Sequence, residues 1–593
     1  MKKTLRRIVS SLISLLMCLA VINFPAYSAD IEPTFIYVEN TVNENGVIDY
    51  RYVDEEGNEV KIEENKLHTQ SVSLPSKYNA AEKGYVTSIK DQGDSGVCWS
   101  FSAMSMLESD SIIKGYKTKE NADFSEAHHV WFTTNGRAES ENDLAYGDGY
   151  IIEDPFNRGG NWRISAASLS RWSGAANESE YPFYPYNLSG MGNYSEEDRY
   201  DTSGGILLES AVELSTMESI KQWIVEHGSV TAAFCYGNGY YNSSTAAYYS
   251  PAAGTVNHQI TIVGWDDTFS ASKFRSTNSL PSGNGAWLCK NSWGTYWGDN
   301  GYFWISYYDA SVRLFAGFSV MESEDYYKKY SYNGAEWYGA FQVSNSFQVA
   351  NVFEAEGYES LSAVALQTFG ADIEVEIVIY KNINTAYNSP VKGTKALTTK
   401  AVLPNTGYHT VYLTSPVSLT PGETFSVVVR YYAGADGVAV VPVESSVTDG
   451  LTYASRTGES YLNRSTTGNT WVTSQSQGAH NFYIQALTKC NHRLSTDSQE
   501  ATCTENGFEK IFCTQCEKVQ ADRVLNATGH LYGEWSEYTY SIAEGREISK
   551  CTCENCGDTM RRGSYTSNVV TLDVFLELLF ARLKIAIRSL FEI

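Results

Sequence analysis

The sequence predicts a multidomain chain: an α+β region first, a β-sandwich or jelly-roll region behind it, and a small Cys/His-rich region near the end. Three observations carry this. A helix signal over 97 to 114 is followed by apolar, strand-like runs in VTAAFCYG, NHQITIVGW and AWLCKNS. Period-two alternation then sets in, with Ile373, Val375, Ile377 and Ile379 against Glu374 and Glu376, and with Phe425, Val427, Val429 and Tyr431 in TFSVVVRYY. Seven of the 11 cysteines lie between positions 490 and 556. A length of 593 residues agrees with several domains.

The first residues speak to location. Lys2, Lys3, Arg6 and Arg7 precede an apolar run from Ile8 to Phe24, and Ala26-Tyr27-Ser28 fits a small-x-small cleavage site. This pattern reads as a secretory signal peptide over 1–29 and predicts an extracellular, secreted or cell-surface protein. Cys18 would leave with it. The net charge of −25 and 13% aromatic content describe an acidic, Tyr-rich chain and argue against nucleic acid as a partner. Residues 30–73 are acidic and polar, and read as either a short pro-segment or a linker.

Chemistry concentrates in three segments. Cys98 sits in DQGDSGVCWSFS, His258 in NHQITIVGW and Asn291 in WLCKNSWGTYWGDNGY. A free thiol is mostly protonated at neutral pH. A helix N-terminus and an imidazolium neighbour both stabilise the thiolate. Ser95 or Gly96 can start the helix, Phe101, Met104 and Leu107 share one side, and Gly115 can end it, which places Cys98 in the first turn.

These segments resemble the papain-like (C1) cysteine peptidases. The shared features are a Gln six residues before a Cys-Trp pair, an Asn-His before an apolar strand, and Asn-Ser-Trp-Gly followed by Trp-Gly-x-x-Gly-Tyr. The resemblance covers roughly Leu74 to Tyr308. It implies a two-lobed α+β fold, a helical lobe beside a β-barrel lobe. It also implies hydrolysis of protein or peptide substrates through a thioester, with no cofactor for catalysis. Residue by residue, Cys98 would be the nucleophile and His258 its proton partner. Asn291 would orient the imidazole. Gln92 and the backbone N–H of Cys98 would receive the oxyanion. Trp99 would pack beside the nucleophile, and Trp293 would shield the His258–Asn291 bond from water.

The family's second Cys, three residues before the nucleophile, is Ser95 here, so its usual disulfide is absent. The segment DPFNRGGNW resembles the family's Gly-Gly loop. It implies that Gly159 and Gly160 pair with an extended substrate, and that Asn161 and Trp162 line a side-chain pocket. Cys235 and Cys289 read as core residues. His128 and His129 read as structural or surface residues, and His227 as a helix end.

From about residue 321 to 488 the alternating strands are separated by turn signals such as Pro404-Asn405-Thr406-Gly407 and Pro421-Gly422-Glu423. The region resembles the lectin-like domain that follows the peptidase in exported proteins of Gram-positive bacteria. That implies either a carbohydrate or cell-surface ligand, or a structural role on the peptidase. Over 489–562, Cys490, His492, Cys503, Cys513, Cys516 and His530 form a first unit, and Gly529 to Cys556, with Cys551, Cys553 and Cys556, a degenerate second one. Zinc fits thiolates and imidazole, and disulfides are the competing expectation outside a cell. Because the second unit lacks an equivalent of Cys503, a second metal site is not expected. Residues 563–593 read as an amphipathic helix. Asp573, Glu577, Lys584 and Arg588 form its polar stripe, and its apolar face asks for a partner or a membrane surface.

The expected organisation is therefore 1–29, 30–73, a peptidase over 74–320, a lectin-like β-sandwich over 321–488, repeats over 489–562 and the helix. The reading the residues favour is a secreted cysteine endopeptidase. A surface adhesin or scaffold that only docks peptides, and a transpeptidase using the same acyl-enzyme, are the alternatives.

Overall fold

Gly115, at φ +76°, halts the apolar run that begins at Cys98 and closes helix α1 (Cys98–Ile113). The computed structural model describes residues 34–42, 48–53, 57–59, 73–135, 153–275, 279–333, 339–434, 437–444, 456–465, 468–477, 481–564 and 572–591. The expected signal peptide lies outside them. Residues up to Cys490 form one compact unit and those from Asn491 a second.

In the first unit α1 is the central element. Every residue from Trp99 to Ser111 is buried, so it has no single apolar side as its sequence suggested. Strands Arg313–Glu322, His258–Asp266 and Val230–Phe234 pack on it. Helices α2 (Glu126–Thr134), α3 (Trp162–Ser170) and α4 (Met217–His227) also pack against it. The helical lobe closes over Val97, Trp99, Phe101, Val130 and Ile164. The β lobe closes over Val230, Ile260, Ile262, Trp265, Trp287 and Phe303. Its antiparallel strands include Val230–Phe234, His258–Asp266, Ala286–Lys290 and Tyr302–Ser306, neighbours in that order.

Beyond residue 320 the alternating runs form the expected sandwich. One sheet holds Ile373–Lys381, Thr424–Tyr432 and Ser346–Glu354. The facing layer holds Ile484–Cys490, Glu359–Thr368 and Gly407–Leu419. Val375, Ile377, Ile379, Phe425, Val427 and Val429 point into one core with Leu361, Val364 and Ile484.

Two features were not foreseen. Strand Gly407–Leu419 also pairs with Ile206–Glu213 of the peptidase region, with Gly407 opposite Val212 and Tyr408 opposite Ala211. One 13-stranded sheet therefore runs through both regions. Their cores merge as well, since Leu207, Phe318, Ala363, Tyr408 and Leu487 share a cluster. In addition, part of the acidic 30–73 stretch is a hairpin, Thr34–Val42 with Ile48–Val53, and its first strand pairs with Gly339–Ser344 of the sandwich. Those strands are neither a bare linker nor detached from the fold.

The second unit holds two three-stranded antiparallel sheets. They are Leu494–Gln499, Gly507–Cys513 and Val519–Leu525, then Thr539–Ser541, Arg546–Thr552 and Thr559–Gly563. Helix α5 (Leu572–Phe591) follows, with Phe575, Leu579, Phe580, Leu583 and Ile585 exposed. Among the described residues no helix is long and apolar enough to cross a membrane.

Candidate active site

Cys98 is the first residue of α1, where backbone N–H groups have no partner within the helix. Its Sγ lies 3.4 Å from the backbone nitrogen of Gln259, the residue after His258. His258 opens its strand, opposite Phe234. Its Nε2 is 2.8 Å from Asn291 Oδ1. An amide oxygen only accepts, so Nε2 carries the proton and donates, which leaves Nδ1 as the nitrogen that can exchange a proton with the thiol. Trp293 stacks on the imidazole, with centroids 4.4 Å apart and planes 23° from parallel.

Gln92 is held from both ends of its amide. Nε2 donates to the Ser95 carbonyl at 2.6 Å, and Oε1 accepts from Ser292 Oγ at 2.6 Å. One of the two Nε2 hydrogens is thereby used, and the other remains to point elsewhere. Ser95, which stands where the family has a disulfide-bonded Cys, donates its hydroxyl to the Gln92 carbonyl at 2.7 Å. A hydrogen-bonded turn thus replaces the covalent bridge locally.

Electrostatics at the pair follow from burial. Desolvation pushes the Cys98 thiol up to about 11, opposed by backbone N–H groups of Gln259, Trp99 and Cys98 itself. Desolvation pushes the His258 imidazole down to about 4, opposed by Asn291. Each shift measures one charge buried alone. Moving the proton from sulfur to Nδ1 makes both charges together, so each compensates the other in a poorly hydrated place.

A buried network unseen in the sequence fixes these parts. Glu108, on α1 and fully buried, accepts from Lys90 Nζ at 2.9 Å and from Thr87, and lies 4.0 Å from Lys290 Nζ. Lys90 sits two residues before Gln92, and Lys290 one before Asn291. One carboxylate therefore ties together the three segments carrying Cys98, Gln92 and Asn291. Burial lowers Lys290 to about 8 against the attraction of Glu108. The sequence signal was weak: a lone Glu inside an apolar helix.

The remaining expected residues divide. Gly160 is buried against Trp99, and a Cβ there would sit 2.8 Å from the indole. Gly159 is half-buried. Asn161 and Trp162, expected beside a side-chain pocket, face inward. Asn161 Oδ1 caps α3 by accepting from the backbone of Arg163 and Ile164, and Trp162 is 5% exposed within the core shared with the sandwich. Cys289 is core, but Cys235 is half-buried just past its strand, contrary to expectation. His128 and His129 are wholly interior rather than surface, and His227 ends α4 with Nδ1 2.8 Å from Asp110.

The Cys/His residues form two groups, and Cys503 does not belong with Cys513 and Cys516 as expected. His492, Cys513 and Cys516 lie together, whereas Cys503 lies with His530, Cys553 and Cys556. Cys490 is the last residue of the first unit.

Comparison with known proteins agrees with this geometry. Residues 74–314 match the papain family of cysteine proteases, and residues 329–488 match the lectin like domain. The oryzain gamma chain of Oryza sativa subsp. japonica is 28% identical over 239 residues, 39% of this chain and 55% of that protein. Cathepsin S of Bos taurus is 27% identical over 39% of this chain and 59% of that protein. The chain thus spans little more than half of these curated relatives. The cysteine protease and lectin-like domains of Cwp84, a surface layer associated protein of Clostridium difficile, share the fold more fully. That structure has a TM-score of 0.61 at 28% identity over 73% of this chain and 92% of its own. The chain carries a papain-family cysteine protease domain. A lectin-like domain follows it, in the order also found in that clostridial structure.

Proposed function

We propose that the chain is a secreted cysteine endopeptidase acting through Cys98, His258, Asn291 and Gln92. The observation that carries this reading is the imidazole of His258, bonded to Asn291 at 2.8 Å and stacked on Trp293, one residue from the nitrogen that contacts Cys98 Sγ. Cys98 Sγ attacks the substrate carbonyl carbon as its proton passes to His258 Nδ1. The Cys98 N–H and the second Nε2 hydrogen of Gln92 receive the oxygen as it becomes negative. The C–N bond breaks and His258 gives its proton to the leaving amine. Water then adds to the thioester, its proton goes to His258, and the C–S bond breaks to release the acid and restore the thiol. No metal or cofactor enters these steps; any zinc belongs to the Cys/His region, as structure.

Export is supported by the basic and apolar N-terminal pattern, and a cell-surface setting by the clostridial relative's own location. The lectin-like domain, joined to the peptidase by a shared sheet, is assigned first to holding that domain. A scaffold without chemistry would not need the four residues in this arrangement. An internally quenched peptide library, with wild type and Cys98→Ala, tests the proposal. Cleavage by the wild type alone, with free acid products, supports it. No cleavage by either protein, or chiefly amine-capped products when a peptide amine is added, contradicts it in favour of the scaffold or the transpeptidase.

A further inference from the structure

The two sheets of the second unit repeat one design. In the first, the Cys513 nitrogen donates to Lys518 O at 3.0 Å, Glu517 N to Cys513 O at 2.9 Å, and Thr514 N to Arg493 O at 2.8 Å. In the second, Cys553 N donates to Asp558 O at 2.7 Å, Gly557 N to Cys553 O at 2.9 Å, and Glu554 N to Leu531 O at 2.8 Å. Each Cys-x-x-Cys knuckle therefore holds the residue after a histidine, His492 in one case and His530 in the other. The likeness stops at the remaining thiol. Cys490 lies two residues before His492, within about 7 Å by chain length alone. The position two residues before His530 is Thr528.

The missing ligand comes from the other repeat. Cys503 lies in the hairpin loop after Leu494–Gln499, and its Sγ is 3.7 Å from Cys553 Sγ. Cys556 Sγ is 3.2 Å from His530 Nδ1, and the four donor atoms lie within 4.8 Å of one another. Two backbone bonds bring the loop there: Thr528 N to Thr502 O at 2.9 Å and Gly529 N to Cys503 O at 3.1 Å. Tyr532 bridges Cys553 on the other side of His530.

We propose that Cys503, His530, Cys553 and Cys556 bind one zinc ion that staples the first repeat to the second. In a tetrahedron with Zn–S near 2.3 Å and Zn–N near 2.0 Å, donor edges run from about 3.5 to 3.8 Å, close to the separations found. The donor set is chemically apt, being soft thiolates with an imidazole. Disulfides cannot satisfy it, because three thiols leave one unpaired. The sheets also lack a core of their own. Leu494, Val519 and Val524 are exposed, while Cys503 and Cys553 are 8% and 1% exposed. Folding of so thin a segment would depend on its metal.

The proposal runs against the expectation of no second metal site, drawn from the missing Cys503 equivalent. In this design the loop thiol serves the following repeat, not its own. His492, Cys513 and Cys516 form the other group of soft donors in this unit.

Metal content of the full exported chain tests the crossed pairing, independently of Cys98. Wild type should carry about two zinc per chain. Cys503→Ser and Cys556→Ser should each carry about one, and so should their double variant, because both changes fall on one site. Cys503→Ser with Cys516→Ser should carry none. Cys503→His, which keeps a donor, should restore about two. If Cys503→Ser with Cys556→Ser loses both ions while Cys503→Ser with Cys516→Ser keeps one, Cys503 belongs to its own repeat and the staple is wrong. Absence of zinc from the wild type, with pairs of cysteines found oxidised, also overturns it.

Discussion

At the scale of the residue, what distinguishes Cys98 from the other thiols is its company. Cys289 is buried where Cys98 is half-buried, and burial is the main cause that raises its thiol well above the usual range. The same rise would overtake Cys98 without its partner. His258→Ala should therefore move the pH profile of iodoacetamide alkylation towards the alkaline value of about 11 that burial sets. Measured second-order rates across pH check this; an unchanged profile would mean that the helix terminus alone forms the thiolate. Gln92→Ala should lower kcat by roughly 100- to 1000-fold with little change in KM, as steady-state kinetics would read. Asn291→Ala should leave more activity than His258→Ala, since an untethered imidazole still visits the right orientation. The four residues were legible because each sits in a short motif whose spacing is fixed by local backbone. That Asn161 caps a helix and Trp162 is buried was not legible, because a motif does not tell which way a helix start will face.

At the scale of the element, buried joints decide the geometry. Removing the Glu108 carboxylate would take from buried Lys290 the carboxylate 4.0 Å away, and from Lys90 one of three, Asp123 and Glu126 staying at 2.8 and 2.9 Å. Glu108→Ala should cost about 3 to 5 kcal/mol of unfolding free energy, readable by chemical denaturation, whereas a surface change such as Glu374→Ala should cost less than about 1. The strand joint offers a second test. Gly407 has φ +145°, and a Cβ there would lie 2.2 Å from the Ala211 carbonyl. Gly422 has φ +75° with nothing within 4 Å. Gly407→Ala should lower the melting temperature of the first unit by clearly more than Gly422→Ala, because only the former pushes the two regions apart. Equal shifts would say that the shared sheet contributes little. Neither joint could be read from sequence. Alternation in Ile373–Lys381 tells which residues go inward, but the partners of a strand such as Ile206–Glu213 are chosen by tertiary packing. The N-terminal hairpin left a signal, in that TFIYV and IDYRYV flank a turn-like NENG, yet its acidic surroundings favoured reading a linker.

At the scale of the whole molecule, interior histidines set an acid limit. Burial pushes His129 down to about 3 and His409 to about 4, so the fold holds both neutral while the unfolded chain titrates near 6.5. Unfolded protein then binds more protons below 6.5, and stability, complete above that pH, falls as pH drops toward 4 at up to about 1.4 kcal/mol per unit for each histidine. Denaturation at pH 7 and pH 4.5 should show the loss, and His409→Gln should lessen it; a flat dependence would contradict neutral burial. The domain order was legible from changes of period and composition along the chain. The fusion of peptidase and sandwich through one sheet, and the crossing of Cys503 to the second repeat, were not, because both are pairings between distant segments. The central claim remains that Cys98 is an activated nucleophile, and site-resolved alkylation tests it most directly. Brief treatment of the native chain with a limiting epoxide or iodoacetamide, followed by peptide mass spectrometry, should place the label on Cys98 in step with loss of peptide hydrolysis. A label that appears first on Cys235 or Cys289, or full labelling of Cys98 with hydrolysis intact, would contradict the account.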